Sequence, residues 1–442
     1  MRKKYLCAIV GLGMMLGLGG CKSRDVAINS TTFPDEKFRD YVKEYCDEDS
    51  NGKLSSEEIG ATQRLHLVAL GVSDLKGIEV FTNLKILNCS ENQLTELDLS
   101  QNPKVNMISA GGNQLTKVDV SGLEELSYLK CPDNQLSELD VSKNACLVDL
   151  DVAGNQLKHL DLSQNPELEF LECGKNPLEG MDVSNNLFLF QFGCEQTQLT
   201  ALDLTHNPML YILNCTENSL SELDVSKCSW DITVNADSSV KINREDKDAN
   251  KGPAIDENFF PDPVFRNYIL KEIDHDENGI LSEREATSTR GLRVWSESDE
   301  SKIHDLTGVN YFPYIVSLDC SDNDLTKLDL SGNIYLKELY CDGNRLTELD
   351  LSNTPKLEKV SCDGNQLTQM DVSKCERLYS LDCRNNQLSE LDCSGERKLV
   401  FLKCEGNPLK KLDIRNCRRN IILSVDKNSG VNIKYPAGYN TR

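Results

Sequence analysis

From residue 84 onward, short stretches of every-other-residue hydrophobicity alternate with polar turns, and the alternation recurs every 21 residues. In the stretch LKILNCSENQLTELDLSQNP, residues 84–103, Leu87 and Cys89 flank Asn88, and Leu97 and Leu99 flank Asp98. Strand side chains point alternately to opposite faces, so each apolar pair predicts a short inward-facing strand piece. Between the two pieces stands an asparagine, at 92, 113, 134, 155, 176 and 218, with Thr197 in the missing slot, and again at 323, 344, 365, 386 and 407. A buried amide at this point satisfies backbone groups that a chain reversal leaves unpaired. One such coil cannot bury its own apolar side, so coils must stack. The pattern predicts a mainly β solenoid.

Two further columns keep the same period. Cys89, Cys131, Cys173, Cys194, Cys215, Cys320, Cys341, Cys362, Cys383 and Cys404 lie three residues before the asparagine position, with Ala110 and Val152 in the remaining slots. Replacement by Ala and Val marks a site for a small apolar group, so these are expected to be reduced core thiols. Stacked coils point equivalent Cβ atoms in parallel, which is poor disulfide geometry, and neither a CxxC pair nor a histidine set suggests zinc. Aspartate stands six residues after the asparagine position throughout, from Asp98 to Asp413. At a strand spacing of about 4.8 Å, adjacent carboxylates repel by roughly 1 kcal/mol per pair even in water, so a fixed hydrogen bond is expected. The Ser or Thr two residues later is the candidate donor.

The unit L-x-x-L-x-C-x-x-N-x-L-t-x-L-D-L-S-x-N resembles the leucine-rich repeat, specifically the cysteine-containing 21-residue form of the surface internalins. The likeness covers about two thirds of the chain, and it implies a solenoid used for recognition or adhesion.

Ahead of each repeat block lies an acidic loop. DEDSNGKLSSEE places Asp47, Asp49, Asn51, Lys53, Ser55 and Glu58 at loop positions 1, 3, 5, 7, 9 and 12, and DHDENGILSERE does the same with Asp274, Asp276, Asn278, Ile280, Ser282 and Glu285. Gly52 and Gly279 occupy the sharp turn. Both resemble the EF-hand calcium loop: alternate side chains converge, position 7 offers its backbone carbonyl, and the last glutamate can bind through both oxygens. Phe38, Tyr41, Val42 and Tyr45 before the first loop, and Phe265, Tyr268 and Ile269 before the second, have helical spacing. Calcium is therefore the expected cofactor. Its expected role is structural, capping the exposed end of the first coil.

The chain opens MRKKYLCAIVGLGMMLGLGGC, a basic start followed by an apolar run. Its end resembles the lipobox of bacterial lipoproteins, which implies cleavage before Cys21 and a lipid on that cysteine. The expectation is an exported protein, lipid-anchored at the envelope or surface of a bacterium and touching the membrane only through that anchor. The whole organisation reads as one plan used twice: signal 1–21, linker 22–32, cap 33–72, array 73–243, linker 244–259, cap 260–302, array 303–442. Each array is expected to begin with a short helical EF-hand-like cap and to end in a β-hairpin cap, since residues 231–243 and 420–435 alternate around a polar turn. The polar linker, with Gly252-Pro253, suggests copies that move as units.

Composition narrows the partners. With 48 Lys+Arg against 71 Asp+Glu the net charge is −23, and with no basic cluster a nucleic-acid partner is excluded. The five histidines share no repeated frame, and HExxH, GxSxG and phosphate-cradling loops are missing, so no enzyme is expected. Six residues before the asparagine position, the outward column of the first array reads Ile86, Met107, Tyr128, Asp149, Phe170, Gln191 and Ile212. In the second array it reads Ser317, Glu338, Lys359, Ser380 and Phe401. The apolar members Ile86, Met107, Tyr128, Phe170 and Ile212 are the candidate surface for a protein or glycan partner. A structural or assembly component of a surface complex is the competing reading. The chain shows no wall-sorting motif, which separates it from wall-anchored internalins.

Overall fold

The computed structural model describes residues 25–296, 298–426 and 430–439. The chain divides after Leu136 into two compact units.

In the first unit, Val26–Ala27 pairs antiparallel with Lys53–Leu54, beside two helices, α1 (Glu36–Tyr45) and α2 (Ser56–Ala61). Asp35 caps α1 by accepting from Phe38 N at 2.9 Å, and its other oxygen accepts from Ser73 N at 2.8 Å, tying the helix to the chain that follows. Phe33, Phe38 and Phe81 bury one face of α1, with Phe33 and Phe38 edge-on at 5.6 Å. Gly77 has φ 104°, and a Cβ there would sit 2.3 Å from the Phe33 ring, so this close approach requires glycine. A parallel ladder then runs through Arg64–His66, Ile86–Asn88, Met107–Ser109 and Tyr128–Lys130. A smaller one on the other side of the coils joins Glu96–Asp98 to Lys117–Asp119.

The second unit repeats these devices. One ladder passes through Asp149–Asp151, Phe170–Glu172, Gln191–Gly193, Ile212–Asn214 and Thr233–Asn235. Helices α3 (Pro263–Glu272) and α4 (Glu283–Ser288) follow, capped by Asp262 and Ser282. Gly308 then meets Phe260 as Gly77 meets Phe33. A second ladder runs through Gly291–Arg293, Ser317–Asp319, Glu338–Tyr340, Lys359–Ser361, Ser380–Asp382, Phe401–Lys403 and Ile422–Ser424. The chain is thus a β solenoid with few helices.

The turn asparagines behave as expected. Asn113 Nδ2 donates to the carbonyls of Cys89 and Ala110, each at 3.0 Å, while its Oδ1 accepts from Leu94 N. Asn365 repeats this with Cys341, Cys362 and Leu346. Each amide therefore stitches its own coil to the one before it. Thr197 reaches the Cys194 carbonyl of its own coil at 2.7 Å and the Asn218 amide oxygen of the next coil at 3.0 Å. The cysteines among the described residues are free, and those of the column are buried. Burial pushes the Cys89 thiol up to about 12, so these groups are neutral and inert, as the sequence suggested.

Three expectations require correction. The array ends are not β-hairpins: Thr233–Asn235 and Lys241–Asn243 add in parallel to Ile212–Asn214 and Glu222–Asp224. Ile422–Ser424 and Asn432–Lys434 likewise extend the parallel ladders. The tails are final coils, because their apolar alternation keeps the period of the coils before them and parallel pairing continues without a change of direction. Second, among the described residues the piece after the asparagine is a laddered strand only at Glu96–Asp98, Lys117–Asp119, Glu222–Asp224, Glu390–Asp392 and Lys411–Asp413, together with the closing pieces. Elsewhere its leucines are still buried, for example Leu160 and Leu162, but the backbone forms no regular ladder. Third, residues 137–243 and the second ladder are not independent bodies. Glu167 accepts from Lys356 at 2.7 Å, lies 2.8 Å from Lys337 Nζ and 3.3 Å from Arg377, and only 3% of its side chain is exposed. Phe188 packs edge-on against Tyr335 at 4.9 Å, and Arg284 donates to the Cys228 carbonyl at 2.7 Å while lying 4.3 Å over the Trp230 ring.

Candidate functional site

Each acidic loop is folded by its own backbone. In the first, Asp47 Oδ1 accepts from Asn51 N at 3.1 Å and Oδ2 from Gly52 N at 2.9 Å. Ser50 and Gly52 take left-handed backbone, φ 56° and 82°. Asn51 Oδ1 accepts from Lys53 N at 2.8 Å, and Lys53 itself sits opposite Ala27 in the short antiparallel pair. Ser55 caps α2, and Glu58 reaches back in a capping box, its Oε2 accepting from Ser55 N and its Oε1 from Glu48 N. Burial opposes the charge on Glu58, but the donors from Ser55 and Glu48 outweigh it and hold the carboxyl below its ordinary range.

The second loop repeats this pattern. Asp274 accepts from Asn278 N and Gly279 N, Asn278 Oδ1 from Ile280 N, and Glu285 from His275 N and Ser282 N. Here burial prevails and raises the Glu285 carboxyl, despite the same donors.

Ligand atoms of Asp47, Asp49 and Glu58 lie within 4.8 Å of one another, and so do those of Asp274, Asp276 and Glu285. Three converging carboxylates in an all-oxygen setting fit a hard cation such as calcium and offer nothing to a soft one, while Asn51 and Asn278 turn their amide nitrogens to Asp49 and Asp276. Such a cation would offset the mutual repulsion of the three carboxylates. Cys21 lies outside the described residues.

The strand-face column forms as the register requires. Ile86, Met107 and Tyr128 are lateral neighbours in the first unit. In the second unit Asp149, Phe170, Gln191, Ile212 and Thr233 form the same row. Tyr128 is 37% exposed and Phe170 36%, whereas Ile86, Met107 and Ile212 are half-buried. The sequence reading missed two aromatic neighbours, Phe190 and Tyr211, one position before the column. Phe190 stacks on Tyr211 at 5.2 Å and meets Phe170 edge-on at 6.1 Å, making a partly exposed aromatic row. Their signal was available as two aromatics exactly one period apart. On the second ladder, Lys359 lies 4.7 Å over the Tyr340 ring, and Arg384 and Lys403 pair with Asp382.

The aspartate column is held by backbone donors more than by hydroxyls. Ser100 N donates to Asp98 Oδ1 at 2.9 Å, Ser184 N to Asp182, and Ser373 N to Asp371. Arg415 N does the same for Asp413 although Arg415 has no hydroxyl. The two-residue turn closes only with the short side chain, which explains why glutamate never substitutes. These backbone donors, followed by the serine side chains, lower the carboxyls of Asp98 and Asp119.

No protein-family model and no curated protein matches the chain. Among solved structures it is similar to the functional domain of InlJ from Listeria monocytogenes, described as including a cysteine ladder. The identity is 26%, with 94% of this chain and 77% of that chain covered and a TM-score of 0.38. It is similar also to the internalin InlC2 of the same organism, at 20% identity, covering 50% of this chain and 100% of that one with a TM-score of 0.46. A leucine-rich-repeat protein of Leptospira interrogans is 17% identical, covers 84% and 97%, and has a TM-score of 0.37. Among the described residues no helix is long and apolar enough to cross a membrane.

Proposed function

We propose that this chain is a calcium-binding leucine-rich-repeat protein, held at a bacterial envelope through a lipid on Cys21, that recognises an extracellular protein or glycan through its first strand face. The observation that carries the recognition reading is the partly exposed row containing Phe170, Phe190 and Tyr211, set on a rigid parallel ladder. Aromatic rings supply contact area at low entropic cost, and stacked rings accept both apolar side chains and sugar faces. Glu58 and Glu285 each already bridge the two ends of their loop, and Asp47, Asp49, Asp274 and Asp276 supply the remaining charge. Calcium, when bound, supplies an electrostatic tie among these oxygens. The side chains keep the loop closed and hold α1 against α2, or α3 against α4, at the start of the ladder that follows.

The test screens immobilised glycans and extracellular proteins against residues 22–442, with and without Phe170→Ser combined with Tyr211→Ser, in calcium. Lost capture with an unchanged melting curve supports recognition by this face. Capture that survives both substitutions removes this face and leaves the assembly reading.

A further inference from the structure

A second buried polar slot lies ten residues after each turn position, and the coils that fill it with asparagine define what it requires. Asn165 Nδ2 donates to the carbonyls 24 and 21 residues earlier, those of Val141 and Asn144, each at 3.0 Å. Asn186 uses Leu162 and Asn165, Asn207 uses Val183 and Asn186, and Asn333 uses Val309 and Phe312. In these coils the slot holds a donor, whereas Leu123 fills the same slot with an apolar side chain, and the amide oxygen of each of these four asparagines is left without a partner. At Cys228 and Cys417 the thiol supplies the donor, that of Cys228 reaching the Leu204 carbonyl at 3.8 Å. Cys417 Sγ reaches the Cys393 carbonyl at 3.2 Å, again 24 residues earlier.

Glu396 stands in this slot, 1% exposed, with Oε2 buried and unpartnered. The carbonyls at its two offsets belong to Val372 and Cys375. A carboxylate has no hydrogen to give to carbonyls at these offsets. Only the neutral acid can do the work of the amide.

We propose that Glu396 is a proton-operated latch in the second ladder: as the acid it donates across the coils as asparagine does, and as the carboxylate it leaves its slot without a donor and loosens this end of the solenoid. Asp371 and Glu376 face it from the coil before, along with the thiol of Cys375. Cys393 lies on its own coil and Cys417 on the next. Glu396 also lines an open groove of about 990 Å³ whose other charged groups are Asp371, Glu390, Asp392, Lys411, Asp413 and Lys434. The groove's lysines are engaged elsewhere, Lys411 with Glu390 at 3.4 Å and Lys434 with Asp413 at 3.1 Å. Burial first, and then the charges of Glu376 and Asp371, push the Glu396 carboxyl up to about 7 from an ordinary 4.5. A folded-state value above the unfolded one means that the folded form holds the extra proton. The contribution is therefore complete below about pH 4.5 and is lost as pH rises through about 7.

The test is amide hydrogen exchange by mass spectrometry on peptides spanning 393–417, comparing wild type with Glu396→Gln, whose amide donates at every pH. Taking the ratio at each pH cancels the intrinsic pH dependence of exchange. Wild type should exchange at the variant's rate at pH 4 and at least ~10-fold faster at pH 8.5, against a ceiling of about 300-fold set by the size of the shift. Peptides spanning 149–214 should show a ratio near one throughout. The double variant Asp371→Asn, Glu376→Gln removes the two facing charges and should move the wild-type midpoint to lower pH, which keeps the test decisive if Glu396→Gln folds poorly. A flat ratio, or a midpoint indifferent to the double variant, would overturn the latch.

Discussion

The two ladders of residues 137–439 share one backbone plan and use it differently. The first fills its second buried slot with Asn165, Asn186 and Asn207 and then Cys228, and presents an aromatic row on its strand face. The second fills the same slot with Asn333, Thr354, Cys375, Glu396 and Cys417, and its strand face is crossed by internal ion pairs around Asp382. The period fixes the fold through the leucines, the turn asparagines and the aspartate turns, which both ladders keep. What varies is the set of groups that tie coils together and the charge left for a partner. A face neutralised from within needs no ligand to balance it, so the comparison favours the first ladder as the recognition surface.

The largest effect should come from the joint between these ladders. Glu167→Ala would leave Lys337, Lys356 and Arg377 around an empty buried site, at a cost of about 3–5 kcal/mol, read by urea unfolding. Burial opposes its charge, but Lys337 and Lys356 outweigh that and hold the Glu167 carboxyl down at about 2. Its depressed folded value makes the contribution complete above about pH 4.5 and lost as pH falls through about 2. Acid should therefore uncouple the two ladders under conditions in which the Glu396 slot is at its most stable.

Next in size is the buried slot itself. Asn186→Ala removes donors to two buried carbonyls and should cost about 2–3 kcal/mol, whereas Thr354→Ala removes one bond within its own coil, to the Leu351 carbonyl, and should cost about 1 kcal/mol. Equal losses at the two sites would erase the distinction drawn between the ladders. The smallest effect belongs to the aspartate column. Asp371→Glu breaks the turn to Ser373 N and should cost about 0.5 kcal/mol at this solvent-facing position, while Asp371→Asn keeps the acceptor and should be neutral within error in the same melting experiment.

Much of this was legible in the sequence because the solenoid turns a one-dimensional period into a stacked column. The inward leucines and cysteines, the turn asparagines and the row through Phe170 and Ile212 follow from position within the repeat alone. The converging carboxylates of Asp47, Asp49 and Glu58 follow from loop spacing for the same reason. What was hidden depends on contacts that no period encodes. Glu167 sits in an ordinary solvent-facing frame until Lys337, 170 positions away, closes over it. The closing tails alternate as a hairpin does, and only the registers show that Thr233 and Ile422 join parallel ladders. The second buried slot was visible at Asn102 and Asn333, but its donor role becomes clear only from the carbonyls it reaches.

The central claim is that two calcium ions organise the starts of the ladders. Calorimetric titration of residues 22–442 with calcium, beside the variant Asp47→Ala, Asp274→Ala, tests it most directly, with melting curves recorded in calcium and in chelator. The account predicts two sites per chain, both lost in the variant, and a melting transition raised by calcium in wild type only. At free calcium 100-fold above the dissociation constant each site should add about 2.7 kcal/mol. No heat of binding and identical melting in calcium and chelator would contradict it.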